Sequence, residues 1–345
     1  MRKLILFLLL AAAAYGAWFH ETQWPVRGAG DPPQPLVVAQ GAGVLDIGRQ
    51  LQQLGLVRHP EVFRVYVLSR GATGRLRAGE YALEGSMSLE QIVDKLVRGD
   101  VVRHVVTFPE GMNIEDMARL AAVKGIPVEA FLAAARDPAL VKDLDPEAKD
   151  LEGYLFPDTY DLPRGPEPAA QLVARMVKRF RAVMAPELPR LPAGRTLRQI
   201  VTLASIVETE TARPEERPRV AAVFLNRLQK RMPLQTDPTV IYALRKVGTY
   251  DGNIRKGDLD VDSPYNTYRF PGLPPGPIAS PGRASLQAAL HPAESRELYF
   301  VSKNDGSHEF SATLAEHERW VNLYQRHRRA VAQAEPSPSP SPSPS

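Results

Sequence analysis

The sequence predicts an α+β protein in two unequal parts, lying behind an apolar N-terminal run. Three observations carry this. Short strand-like stretches alternate with amphipathic helices up to about residue 145. From 146 to 330 the periodicity is mainly helical, broken by a few loops dense in proline and glycine. Near the end, "ELYFVSKNDGSHEF" reads as strand, Asn-Asp-Gly turn and return strand, so the second part closes on a β-hairpin. A chain of 345 residues, 44% hydrophobic and 24% charged, is ordinary globular material with room for two cores.

Arg2 and Lys3 precede the apolar run of residues 4–19. The run is slightly short for a spanning helix, which needs about 17–25 residues. His20, Trp24 and the flanking charges extend it toward the interface, and Tyr15, Trp18 and Phe19 suit an interfacial anchor. Residues 1–20 are therefore expected to be an uncleaved single-pass anchor. The small residues of "AAAAYGA" leave a cleaved signal peptide as the alternative. Both readings export the rest of the chain. Residues 21–35, with "GAGDPPQP", are a linker, and the Ser-Pro repeat within 331–345 is a disordered tail.

Residues 36–145 form the first part. "PLVVA" and "GEYAL" read as strands, "VLDIGRQLQQLG" and "SLEQIVDKLVRG" as helices. "VVAQGAGVLDIGRQL" is echoed by "VVTFPEGMNIEDMARL", each running apolar pair, loop, glycine, amphipathic helix. The unit is LysM-like in pattern, and LysM modules bind glycan chains. A small packing domain without a ligand is the other reading.

Several function classes recede. Net charge is +4 and pI about 9.2, but the Lys and Arg are spread and no basic stripe is interleaved with aromatics, so no nucleic acid is expected. There is no cysteine. His104, His291, His308 and His317 are scattered without ligand spacing, so neither a metal site nor a cofactor is expected.

The chemistry concentrates in 146–330. In "TLRQIVTLASIVETET", Thr196 is a plausible helix cap, and Leu197, Ile200, Val201 and Ala204 follow at helical spacing. At ~100° per residue Glu208 lies about 20° from Leu197, on the apolar stripe itself. Glu210 points to another face and is expected to be solvated. Burial disfavours the charged carboxylate, so Glu208 should stay protonated to higher pH, as a general acid requires. A buried ion pair with Arg213 or Arg227 is the alternative.

Around this helix lie candidate cleft walls. "EGYLFPDTYDLP" crowds Glu152, Tyr154 and Asp158 into a rigid turn. In "LQTDPTV", Asp237 before Pro238 reads first as a helix cap, leaving Gln235 and Thr236 to bond a sugar or position Glu208. "SPYNTYRFPGLPPGPIASPG" is stiffened by its prolines and bears Tyr265, Asn266 and Tyr268. Stiff loops with rings and amides suit carbohydrate. The same loop also reads as a lid on the core.

"EGYLFPDTY", "LASIVETET", "VFLNRL", "LQTDPTVIYAL", "YNTY", "GLPPGPIASPG", "ALHPA" and "LYFVSKNDGSHEFS" occur in the order found in the MltG (YceG-like) family, the endolytic murein transglycosylases. The chain resembles that family over most of its length; the Ser-Pro tail lies outside the pattern. The resemblance implies a single-pass inner-membrane protein whose catalytic domain, 146–330, is periplasmic. It implies peptidoglycan glycan strands as substrate, with penicillin-binding synthases as candidate partners. The glutamate of its "SIVE" motif is the catalytic acid, here Glu208. Such an enzyme cleaves the β-1,4 bond between N-acetylmuramic acid and N-acetylglucosamine and leaves a 1,6-anhydro end. A lysozyme-like hydrolase using Asp158 or Asp237 as second carboxylate, and a non-catalytic glycan-binding scaffold, are the alternatives.

Overall fold

The computed structural model describes residues 30–162 and 167–326, together with 18–20, 22–26 and positions 5, 9, 12 and 16. Most of the expected anchor, part of the linker and the whole Ser-Pro tail lie outside the described residues. Among those described, no helix is long and apolar enough to cross a membrane. The chain divides into two compact units between His104 and Val105.

The first unit pairs β1 (Gln34–Val38) antiparallel with β2 (Gly79–Leu83), Gln34 opposite Leu83. Leu36 and Val38 alternate with exposed Val37, so one strand face enters the core. Helices α1 (Val44–Gln53) and α2 (Pro60–Ser69) lie between the strands in sequence. Helix α3 (Leu89–Arg98) opens on a capping box between Ser88 and Gln91 and ends at Gly99, whose φ of 69° is the left-handed cap glycine favours. Ile47, Leu51, Phe63, Tyr81, Ile92 and Leu96 fill this core.

The second unit begins with β3 (Val105–Thr107), α4 (Ile114–Val123) and α5 (Val128–Arg136). The sequence echo groups this stretch with the first part, up to 145. In the structure β3 pairs instead with β4 (Thr159–Asp161), and Phe108, Met117 and Phe131 join the larger core. An echo in pattern does not fix where the apolar face is covered, and here the covering surface is the helical half. Next come α6 (Pro168–Met184), α7 (Leu197–Glu210), α8 (Arg217–Gln229), α9 (Asp237–Val247) and α10 (Arg283–Leu290). The hairpin is β5 (Tyr299–Ser302) and β6 (His308–Ser311), followed by α11 (Leu314–Val321). The turn's Asn304 and Gly306 adopt φ of 65° and 82°, as an Asn-Asp-Gly turn requires.

Helix α7 is the central rod of this unit. Thr196 and Gln199 form its capping box, and Leu197 to Val207 are almost continuously buried. Burying a Leu, Ile or Val side chain contributes about 1.5–3 kcal/mol. The rod is therefore fixed by its core residues, and its C-terminal turn is held where Glu208 can be aimed.

Candidate active site

Glu208 sits on the last turn of α7 with only 5% of its side chain exposed. Its Oε1 accepts from Arg217 Nη2 of α8 at 2.7 Å, and Oε2 accepts from the Gly282 N–H at 2.9 Å. Gly282 is the residue before α10, so that N–H is one of the orphan donors of a helix N-terminus, where negative charge is favoured. Desolvation is the largest influence and pushes the carboxyl above the usual glutamate range. The Gly282 N–H, Arg217 and the Ser285 hydroxyl pull it back down, and Glu110 adds a further push upward.

The buried ion pair weighed as the alternative is present, with a different arginine. Arg217 takes the place expected of Arg213 or Arg227. Arg213 donates to the Asp305 carbonyl, and Arg227 to the carbonyls of Leu298 and Leu234. Arg217 is 6% exposed and also lies 3.5 Å from Glu110, whose own side chain is 46% exposed. The Glu110 loop is strapped to the Gly282 loop by two backbone hydrogen bonds, Gly111 N to Ser280 O at 2.9 Å and Ser280 N to Met112 O at 2.8 Å. A Cβ added at Gly282 would fall on the Glu110 carboxylate, so glycine there leaves the space that carboxylate occupies. Glu110, Arg217, Gly282 and Ser285 escape sequence reasoning. The one signal was the "PEGMN" loop within the internal echo.

Glu210 corrects the expected solvated face. Its Oε2 accepts from Thr236 Oγ1 at 2.7 Å, and burial pushes its carboxyl upward. Thr236 is itself buried, so its hydroxyl is committed to that glutamate. Asp237 is the first residue of α9 rather than its cap: Thr236 precedes the helix, and no side-chain cap bond forms. Asp237 Oδ1 instead accepts from the Tyr268 hydroxyl at 2.6 Å. Gln235 is exposed and held at φ 49°, a strained conformation for a non-glycine residue.

Asn266 is fully buried. Its amide donates to the carbonyls of Leu259 and Val261 at 2.8 and 2.9 Å, and its side-chain oxygen accepts from the Tyr268 N–H. These bonds lock the proline-rich loop from beneath. Tyr154 donates to buried Asp145 at 2.6 Å, which also binds Arg198 at 2.7 Å. Asp158 pairs with Arg179 at 2.8 Å. Glu152 is 3% exposed, with Oε2 facing the Ile114 N–H at 3.4 Å and the Tyr242 hydroxyl at 3.2 Å. Burial pushes it up to about 8. Glu152, Tyr154 and Tyr265 share the wall of a cavity of about 200 Å³ with Lys149 and Lys246; Glu208 is not part of that wall.

Fold and site together define a two-unit α+β protein whose larger unit presents a desolvated, hydrogen-bonded carboxyl, Glu208. The profile of the YceG-like family matches residues 36–323. The chain belongs to the YceG-like family. A Bacillus subtilis (strain 168) protein named endolytic murein transglycosylase is 33% identical over 304 residues, which is 83% of each chain. A protein of the same name from Streptococcus pneumoniae serotype 2 is 30% identical across 92% of this chain and 63% of its own. The 2.6 Å crystal structure of a yceG-like protein from Listeria monocytogenes, 34% identical, superposes with a TM-score of 0.56 over 84% of this chain and 100% of that one.

Proposed function

We propose that this chain is a murein lytic transglycosylase with Glu208 as its acid. The observation that carries the reading is the environment of that carboxyl. Burial keeps it protonated above the usual range, while Arg217 and the Gly282 N–H are in place to receive its anion. A group that donates and then takes back a proton needs both conditions. Protonated Glu208 gives its proton to the glycosidic oxygen as an oxocarbenium-like state develops on the muramyl ring. The resulting carboxylate removes the proton from the muramyl C6 hydroxyl, which closes on the anomeric carbon. The product is a 1,6-anhydro end, and no water is consumed.

Asp158 and Asp237 are engaged with Arg179 and Tyr268, which weighs against a hydrolase built on either of them. In this reading Gln235, Tyr265 and Tyr268 contact the glycan, while Asn266, Thr236, Glu152 and Tyr154 brace the walls from below. The strand–helix–helix–strand order of the first unit supports a LysM-like, glycan-holding role. The apolar N-terminal run anchors the protein in the membrane with the catalytic unit outside, within reach of nascent glycan and its synthases.

Muropeptide mass spectrometry of glycan treated with the purified chain tests the reading. Wild type is expected to leave anhydro ends, and Glu208→Gln to lose about 10²–10⁴-fold in rate, the worth of a positioned general acid. Reducing ends instead would make the protein a hydrolase. Near-normal cleavage by Glu208→Gln would remove Glu208 from the mechanism.

A further inference from the structure

The Arg217 guanidinium lies within reach of two carboxyl groups in different settings. Glu208 is shielded and fixed on a core helix. Glu110 is half-exposed on the loop between β3 and α4 and lies near the same Nη2, at 3.5 Å against 2.7 Å. Arg217 Nε is buried without a hydrogen-bond partner, so the guanidinium is not pinned by its own neck. The loop that carries Glu110 is fixed by the Ser280 strap, and the missing side chain at Gly282 leaves the space its carboxylate occupies. The Glu110 carboxylate is thus fitted against the backbone whose N–H holds Glu208. The groups that face Glu208 are Arg217 from α8, Glu110 from its loop, and the Gly282 N–H and Ser285 hydroxyl from the start of α10.

We propose that Glu110 is a positioning residue for the lytic reaction, taking the Arg217 guanidinium while Glu208 carries its proton and returning it when Glu208 becomes an anion. This rests on Glu208 being the acid. A neutral Glu208 leaves Arg217 without its stronger anionic partner, and Glu110 keeps the buried cation paired during that interval. When the proton passes to the glycosidic oxygen, Nη2 returns to Oε1. Recovery of the proton from the C6 hydroxyl sends it back to Glu110. Without Glu110, Arg217 has Glu208 alone and favours its anion, so the acid form is lost at lower pH.

Two readouts on the full-length chain in detergent test this. The first needs no substrate: a titration of ¹³C-labelled glutamate carboxyls by NMR, with the Glu208 signal identified by its loss in Glu208→Gln. In Glu110→Gln the Glu208 midpoint is expected to fall by about 0.3 pH unit. The second is the pH profile of glycan cleavage. Glu110→Gln should lose about twofold on the high-pH side of the profile, the fold-change that about 0.3 unit implies, yet keep the wild-type low-pH plateau and KM. Glu110→Asp, its carboxylate drawn back from Nη2, should fall between the two. An unchanged or raised midpoint in Glu110→Gln, or a rate loss equal at every pH, overturns the proposal. If wild type made no anhydro ends while the midpoint still fell, the lytic reading would fail and the shared-arginine arrangement would stand.

Discussion

Two of the larger unit's buried carboxyls, Glu152 and Glu208, keep different company. Both Glu152 and Glu208 are shifted upward, and in both desolvation is the first cause. Around Glu208 stand a buried arginine and a helix N-terminal N–H, both at short distance. The donors to Glu152 are the Ile114 N–H, at the start of α4, at the longer distance of 3.4 Å and a tyrosine hydroxyl at 3.2 Å; no arginine pairs with it, Asp150 and Glu115 push it further upward, and its Oε1 has no partner. Burial alone makes a carboxyl hard to ionise. A paired arginine and a close N–H make the ionised form tolerable, which the proposed cycling of Glu208 requires, whereas Glu152 lacks the cation and is built to stay neutral.

The sharpest way to break this contrast is to remove the donor. Arg217→Met should cost about 3 kcal/mol in urea unfolding at pH 8, because an ionised Glu208 is then buried without its cation. At pH 5 the loss should be smaller, since Glu208 can take up a proton instead. Equal losses at both pH values would mean that Arg217 serves packing rather than charge.

Glu152→Gln probes the other member. A folded-state value of about 8 lies well above the ordinary 4.5, so between these values the native state holds a proton that the unfolded chain releases. Stability is therefore present below about pH 4.5 and is lost as pH rises to about 8, at roughly 1.4 kcal/mol per unit. Glutamine cannot ionise, so Glu152→Gln should flatten that slope and be about 1–3 kcal/mol more stable than wild type at pH 8. Identical slopes would show that Glu152 is ionised in the native state. The smallest effect is expected of Tyr242→Phe, which removes one hydrogen bond to a carboxyl that is already neutral: under about 1 kcal/mol at pH 6 by thermal melting. A loss well above that would mean the hydroxyl supports an anion.

What could be read in advance follows the reach of each rule. The position of Glu208 on the apolar stripe was legible because it depends on one helix and a fixed rotation per residue. Its partner was not, because the choice among Arg213, Arg217 and Arg227 is made by how α8 crosses α7. Glu210 shows the same limit. A helical wheel turned it outward, but the segment before α9 brings Thr236 against it. Asn266 was read as facing sugar because amides do bond hydroxyls. In a loop where prolines remove donors, however, the carbonyls of Leu259 and Val261 still need partners, and the amide supplies them. The hairpin was plain from its turn residues. The division at 104/105 was hidden because it depends on which surface covers an apolar face.

The strap between Gly111, Met112 and Ser280 also has a temporal meaning. The surroundings of Glu208 are gathered from residue 110, from 217 and from 282, so they exist only once a very long stretch of chain has been closed. A chain still being made that has not yet delivered Gly282 has the glutamate and the arginine but lacks the N–H that bonds the carboxyl. On the proposed reading, competence to cut is acquired only after most of the larger unit has been made and folded.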